Sequence, residues 1–152
     1  MADLLGIAIK PELLAGVWWD ITDAIQRTGA AVPCARNAPA VGRACVFVVP
    51  LGDDYRRVVH ELQRPHLLTI RANKGVIPAA VSEAVRAESL ARAVLRGWSG
   101  IELGGVQVSY SEEKSLELLA DKRLELFARL VENCAGNDAA LLANEEEAAK
   151  GN

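Results

Sequence analysis

Between Pro78 and Trp98 the apolar positions Ala80, Ala84, Ala87, Ala91, Val94 and Trp98 recur at steps of four and three. That is the period of an α-helix, so the spacing predicts one continuous apolar stripe on a helix over residues 78–97. Pro78 suits the first turn, where its missing N–H is not needed, and Gly97 suits the far end. Four of the six stripe residues are alanine, so another backbone can approach closely, while Arg86, Glu88, Arg92 and Arg96 occupy the remaining faces in solvent. Tight helix–helix contact follows, within the domain or between subunits.

A second helical pattern covers residues 111–135. Ser109 or Ser111 can cap it, and Glu112 and Glu113 sit at the positive end of its dipole. Leu116, Leu119, Leu126 and Leu130 form one helical line and Ala120, Leu124, Phe127 and Val131 the next, with Asp121 and Lys122 marking a break. A shorter helix over 54–63, capped by Asp53 or Asp54, carries Tyr55, Val58, Val59 and Leu62 on one side and is closed by Pro65. The run HLLTIRANKG reads equally as extended or helical.

The N-terminal third has a different texture. GVWWDI (16–21) and ACVFVV (44–49) are β-branched and aromatic, the second stopped by Pro50, and predict a strand pair within 16–50. Alternation places Val17 and Trp19 on one face and Trp18 and Asp20 on the other, so one tryptophan needs cover from outside its own sheet. The Ala-, Gly- and Pro-rich stretch 22–43 reads as loop with room for a helical turn near Asp23–Arg27. The fold class is α+β, mainly α-helical: a small N-terminal antiparallel strand pair packed on a helical bundle, forming one domain over 1–137. Beyond Gly136 and Asn137 the tail 138–152 is helix-prone and acidic, with Leu141 and Leu142 as its apolar anchors followed by Glu145, Glu146 and Glu147.

A length of 152 residues suits a single domain with a sizeable core. The net charge of −3, from 17 basic and 20 acidic residues interspersed until the tail, argues against an electrostatic nucleic-acid binder. A DNA-reading helix over 83–96 has Arg86, Arg92 and Arg96 but also Glu83 and Glu88. The start MADLLGIAIKPE lacks a basic region and meets Pro11 early for a secretory signal, and no apolar run reaches the ~20 residues of a membrane helix. The expectation is a cytoplasmic protein whose partners are other proteins, with no nucleic acid and no membrane.

Candidate chemistry is sparse. Cys34, Cys45 and Cys134 lie far apart without CxxC or histidines at ligand spacing, so they predict packing thiols with neither a disulfide framework nor a zinc site. His60 and His66 have no metal-ligand spacing to Cys, Asp or each other. No GxxxxGK(S/T), GxGxxG, GxSxG or HExxH occurs. The expectation is a protein without catalysis, cofactor or metal. Its candidate sites are partner-binding surfaces on the stripe (Ala80, Ala84, Ala87, Ala91) and the tail (Leu141, Leu142, Glu145, Glu146, Glu147), together with a structural joint at Gly97, Trp98, Gly100, Tyr110 and Ser111.

That joint carries a resemblance. GVWWDI, VVPLGDDYRR, ESLARAVLRGW, GWSGIELGGVQVSYSEE, LELLADKRLELFARLVENCAGN and the ending AAKGN follow in an order that resembles the tail assembly chaperones of long, non-contractile-tailed double-stranded DNA phages and prophages. The likeness spans most of residues 12–152 and is sharpest over 90–120; the departure is a longer loop at 22–43. The resemblance implies a holdase-like helper that binds the tape-measure protein, recruits the tail-tube protein, and is absent from the mature virion. It also implies a homo-oligomer and a longer, frameshifted form of the same chain as partners. The alternative of another class is a structural tail-completion or connector protein of the virion.

Overall fold

The strand pair expected from β-branched alternation is present, inside a larger sheet. In the computed structural model, which describes residues 16–136, β1 (Val17–Asp20) pairs antiparallel with β3 (Cys45–Val48), Trp18 opposite Phe47 and Trp19 opposite Val46. Val17, Trp19, Val46 and Val48 all turn to the buried face, as the period of two requires. On the other face Trp18 is half-buried and rests on Phe47, ring centroids 5.3 Å apart. Between the two strands lies a helical turn, α1 (Thr22–Ile25), as the pattern near Asp23 suggested.

Two further strands were not foreseen. β2 (Val32–Pro33) lies in the long loop and pairs with β1, and β4 (Leu95–Ser99) pairs with β3, giving the order β2–β1–β3–β4 with every neighbour antiparallel. Beyond this two-residue strand the side chain of Asn37 completes the edge: the N–H of Trp18 donates to its Oδ1 (2.7 Å) and its Nδ2 donates to the carbonyl of Gly16 (3.1 Å). At the other end Arg43 donates to Asp20 Oδ2 (2.8 Å) and Asp23 Oδ1 (3.2 Å), and the N–H of Ala44 donates to Thr22 Oγ1 (2.8 Å). Burial pushes the Asp20 carboxyl up, but the hydrogen bonds from Arg43 and Thr22 outweigh it and leave the group below its usual 3.8. The loop 22–43 is thus tied to the sheet at both ends.

The helices follow. α2 (Asp53–Gln63) starts from Gly52, so Asp53 and Asp54 occupy its first turn and neither caps it by its side chain; they serve the dipole instead. A 3-10 turn, Arg64–His66, leads into α3 (Leu67–Ala72), which settles the ambiguous run as helical. α4 (Ala79–Ala93) packs against α2 on one side and α5 (Glu112–Ala120) on the other. Ser111 caps α5, accepting from the N–H of Lys114 at 3.0 Å. Asp121 ends α5 and caps a 3-10 turn, Lys122–Leu124, before α6 begins over the described residues 125–136, so the expected break becomes two helices.

The helix expected over 78–97 stops at Ala93. Val94 leaves helical geometry (φ −125°, ψ −63°) and Leu95–Ser99 become β4, with Val46 opposite Trp98, Phe47 opposite Gly97, and a bulge between Phe47 and Val48. The periodic stripe was real for four alanines and accidental for its last two members. Tertiary pairing with β3 decided the matter: Leu95 and Trp98 reach the core from the sheet and Val94 from the turn before it, and each is buried. Gly97 therefore sits within a strand, beside Phe47 and Trp18, which a Cβ there would meet at 3.5 and 3.8 Å. The core is one cluster of sheet residues (Val17, Trp19, Val46, Val48, Trp98) with Leu90 and Ala91 of α4, Leu118 and Leu119 of α5, and Val131 and Cys134 of α6.

Candidate functional site

The joint residues gather on one side of the core. Trp98 is 7% exposed, its Nε1–H donates to the carbonyl of Val108 (2.8 Å), and Tyr110 and Phe127 meet it edge-on at centroid distances of 5.0 and 6.4 Å. The Tyr110 hydroxyl donates to the carbonyl of Leu95 at 3.3 Å, and burial raises its pKa. Gly100 turns the chain at φ +70°, and a Cβ there would lie 2.2 Å from the Arg43 carbonyl. After it comes a tight hairpin, β5 (Glu102–Leu103) and β6 (Val106–Gln107), around Gly104 and Gly105.

The hairpin forms one wall of an apolar groove of ≈ 240 Å³. Ile25 of α1 and Leu103 of β5 face Leu126, Phe127 and Leu130 of α6 across it, with Leu118 and Ile101 beneath. Ile25, Leu103 and Leu126 are 44%, 42% and 42% exposed, an unusual cost for three large aliphatic side chains converging on one depression. Glu102 and Arg123 stand at its rim. The rim is held in shape by Asp121, which accepts from Arg123 Nε (3.2 Å) and Nη2 (2.9 Å) and from its backbone N–H (2.9 Å). Those bonds, the side-chain pair first, keep the Asp121 carboxyl below its usual range.

The alanine stripe is divided. Ala87 and Ala91 are buried in the core, so the close backbone approach that alanines permit is used within this chain and these two are not available to a partner. Ala80 and Ala84 are exposed and line a second cleft of ≈ 470 Å³ with Leu119, Ala120 and Ala128, rimmed by Glu83, Lys122 and Glu125. Arg86, which also borders this cleft, donates from Nε to Glu132 Oε1 beside Tyr55, bracing α4 against α6; burial, then the Glu132 charge, raises the Tyr55 pKa. Leu141, Leu142, Glu145, Glu146, Glu147 and the boundary at 138 lie outside the described residues.

Sequence reasoning missed the groove. Its signal was present in the two adjacent helical lines at 116–131, an apolar face broader than one packing partner covers. No disulfide joins the cysteines; Cys34 and Cys45 approach to 3.7 Å between sulfurs, and burial, then the neighbouring thiol, pushes the Cys34 pKa up to about 11. Among the described residues no group of three or more His, Cys, Asp or Glu could hold a metal ion, and no helix is long and apolar enough to cross a membrane.

The profile of the YdaY prophage protein matches residues 51–152. This chain belongs to the YdaY prophage protein family. It is thereby a phage- or prophage-derived protein. No curated protein matches it, and no solved structure does. The YdaY match begins just after β3, so it takes in every helix from α2 onward, β4 and the hairpin, and leaves β1 to β3 outside.

Proposed function

We propose that this YdaY-family protein is a tail assembly chaperone that holds the tape-measure protein during phage tail morphogenesis. It has no catalytic step: binding and release of apolar helix surface are its activity. The observation that carries the reading is the open groove between the hairpin and α6, where Ile25, Leu103 and Leu126 stay exposed around Phe127. A groove of this size accepts the anchor side chains of an amphipathic helix at i and i+3 or i+4, and a long rod-like partner would present such anchors repeatedly. Membership of a prophage family supplies the setting, and the resemblance of the joint at 97–111 supplies the partner. Recruitment of the tail-tube protein, self-association, a frameshifted longer form and residence in the host cytoplasm outside the mature virion belong to the same proposal, avidity between copies strengthening individually weak contacts.

The test is co-expression with the tape-measure protein encoded in the same prophage, followed by pull-down. Leu126→Glu should leave the fold unchanged, because the side chain is 42% exposed, and should reduce recovered tape-measure protein at least about tenfold, the equivalent of ~1.4 kcal/mol. Unchanged recovery by the variant, or stoichiometric presence of the wild type in purified particles, sinks the reading.

A further inference from the structure

The second exposed apolar surface lies at the opposite end of α2 from the last described residues. Between Glu61 and Glu83 the sequence has no acidic residue, while Arg64, Arg71 and Lys74 are basic. In the structure this stretch is the 3-10 turn, α3 and the loop that returns to α4, and α3 contains no buried residue. Leu68 is 80% exposed, Val76 62% and Leu67 46%. Among the described residues no carboxylate pairs with Arg64, Arg71 or Lys74. A basic surface with uncovered leucines asks for a ligand that is acidic and apolar at once.

The chain carries one. Residues 137–152 contain Leu141 and Leu142 followed by Glu145, Glu146 and Glu147, with Asp138 ahead of them and Lys150 as the single base. The described chain arrives at the right place to deliver it: the N–H of Leu51 donates to the carbonyl of Ala135 (3.5 Å), so the last described turn of α6 lies beside the start of α2. α2 has 11 residues, a length of ~16 Å at 1.5 Å per residue. Glu145 lies nine residue steps beyond Gly136, enough to span ~30 Å when extended, so the glutamates can reach past the far end of α2.

We infer that residues 137–152 dock in cis on the 64–77 excursion, Leu141 and Leu142 covering Leu67 and Leu68 and the three glutamates facing Arg71 and Lys74. Covalent linkage gives the contact a high effective concentration, so modest complementarity suffices.

Zero-length carbodiimide coupling of the full chain tests it, because Lys74 is the only lysine of the excursion. Peptide mapping should find Lys74 joined to one of Glu145–Glu147. In a mixture of light and isotope-labelled chains the link should stay within one chain. Its yield should fall about threefold or more in ~1 M salt, where screening acts within ~3 Å, and in Arg71→Glu or Leu68→Ser. Hydrogen exchange gives an independent reading: replacing all three glutamates by lysine should speed amide exchange over 67–76 in the full chain. A Lys74–tail link found only between differently labelled chains assigns the surface to a second copy and overturns the inference, as does exchange over 67–76 that ignores the triple replacement.

Discussion

At the scale of single residues, backbone geometry and burial separate positions that look alike in sequence. Gly100 and Gly104 both have positive φ, +70° and +60°, but a Cβ at Gly100 would strike the Arg43 carbonyl at 2.2 Å whereas one at Gly104 meets nothing within 4 Å. Gly100→Ala therefore adds a backbone clash to the left-handed penalty and should cost about 2–4 kcal/mol, against ~1 kcal/mol for Gly104→Ala, read as the shift in urea unfolding free energy. Equal costs would mean the turn at Gly100 yields freely. Asp20 makes a second distinction. Its folded-state pKa lies below 3.8, because hydrogen bonds from Arg43 and Thr22 overcome the opposing effect of burial. A depressed carboxyl stabilises the fold above its unfolded pKa, and that stabilisation is lost as pH falls through the folded value. The stability gap between wild type and Asp20→Asn should accordingly be constant from pH 7 to about pH 5 and shrink as pH drops below 3.8. A gap that does not narrow in acid would show that the carboxylate contributes nothing to holding the 22–43 loop.

At the scale of elements, the joint between β4 and α5 is held by directed side-chain contacts: two hydrogen bonds to carbonyls and two edge-on ring contacts. Trp98 is enclosed by Tyr110 and Phe127 and spends its one donor on Val108, so Trp98→Ala opens a cavity and orphans a carbonyl, costing about 3–5 kcal/mol. Trp18→Ala, on the half-buried outer face, should cost clearly less in the same denaturation series; a Trp98 effect below about 1 kcal/mol would show that the joint does not depend on the ring. The sequence made most of the elements legible where the signal was local. Ser111 announced α5, Asp121 the break after it, and alternation in GVWWDI the buried face of β1. It misled where a tertiary partner overrode a local period: Val94 and Trp98 continue the helical spacing of Ala87 and Ala91, but β3 lies within reach and Leu95–Ser99 complete the sheet. β2 was illegible for the opposite reason, since two residues carry no period and the edge is finished by the side chain of Asn37. The groove was half legible. Leu126 and Phe127 stood on a recognisable apolar face, but Ile25 and Leu103 join them only through the fold.

At the scale of the whole molecule, the boundary of the YdaY match cuts through a single core. Residues 51–152 contain all the helices from α2 onward together with β4, but the strand that β4 pairs with, Cys45–Val48, lies outside, as do the buried Val17, Trp19 and Ile21. Removing residues 1–50 would leave β4 with an unpaired edge and would strip Leu95 and Trp98 of β4 and Leu90 of α4 of Val17, Trp19, Val46 and Val48, with which they share one cluster. It would also remove Ile25 from the groove and free Gly100 from its contact with Arg43. The loss is far larger than the few kcal/mol of net stability that a domain of this size retains. The fragment 51–152 should therefore lack a cooperative thermal transition and dispersed amide resonances, even though α2 and α4 keep part of their helicity by circular dichroism. Adding a separately made fragment 1–50 should restore the transition if the sheet is what organises the helices. A fragment 51–152 that unfolds cooperatively by itself would place the organising core in the helices and reduce β1 to β3 to an accessory layer.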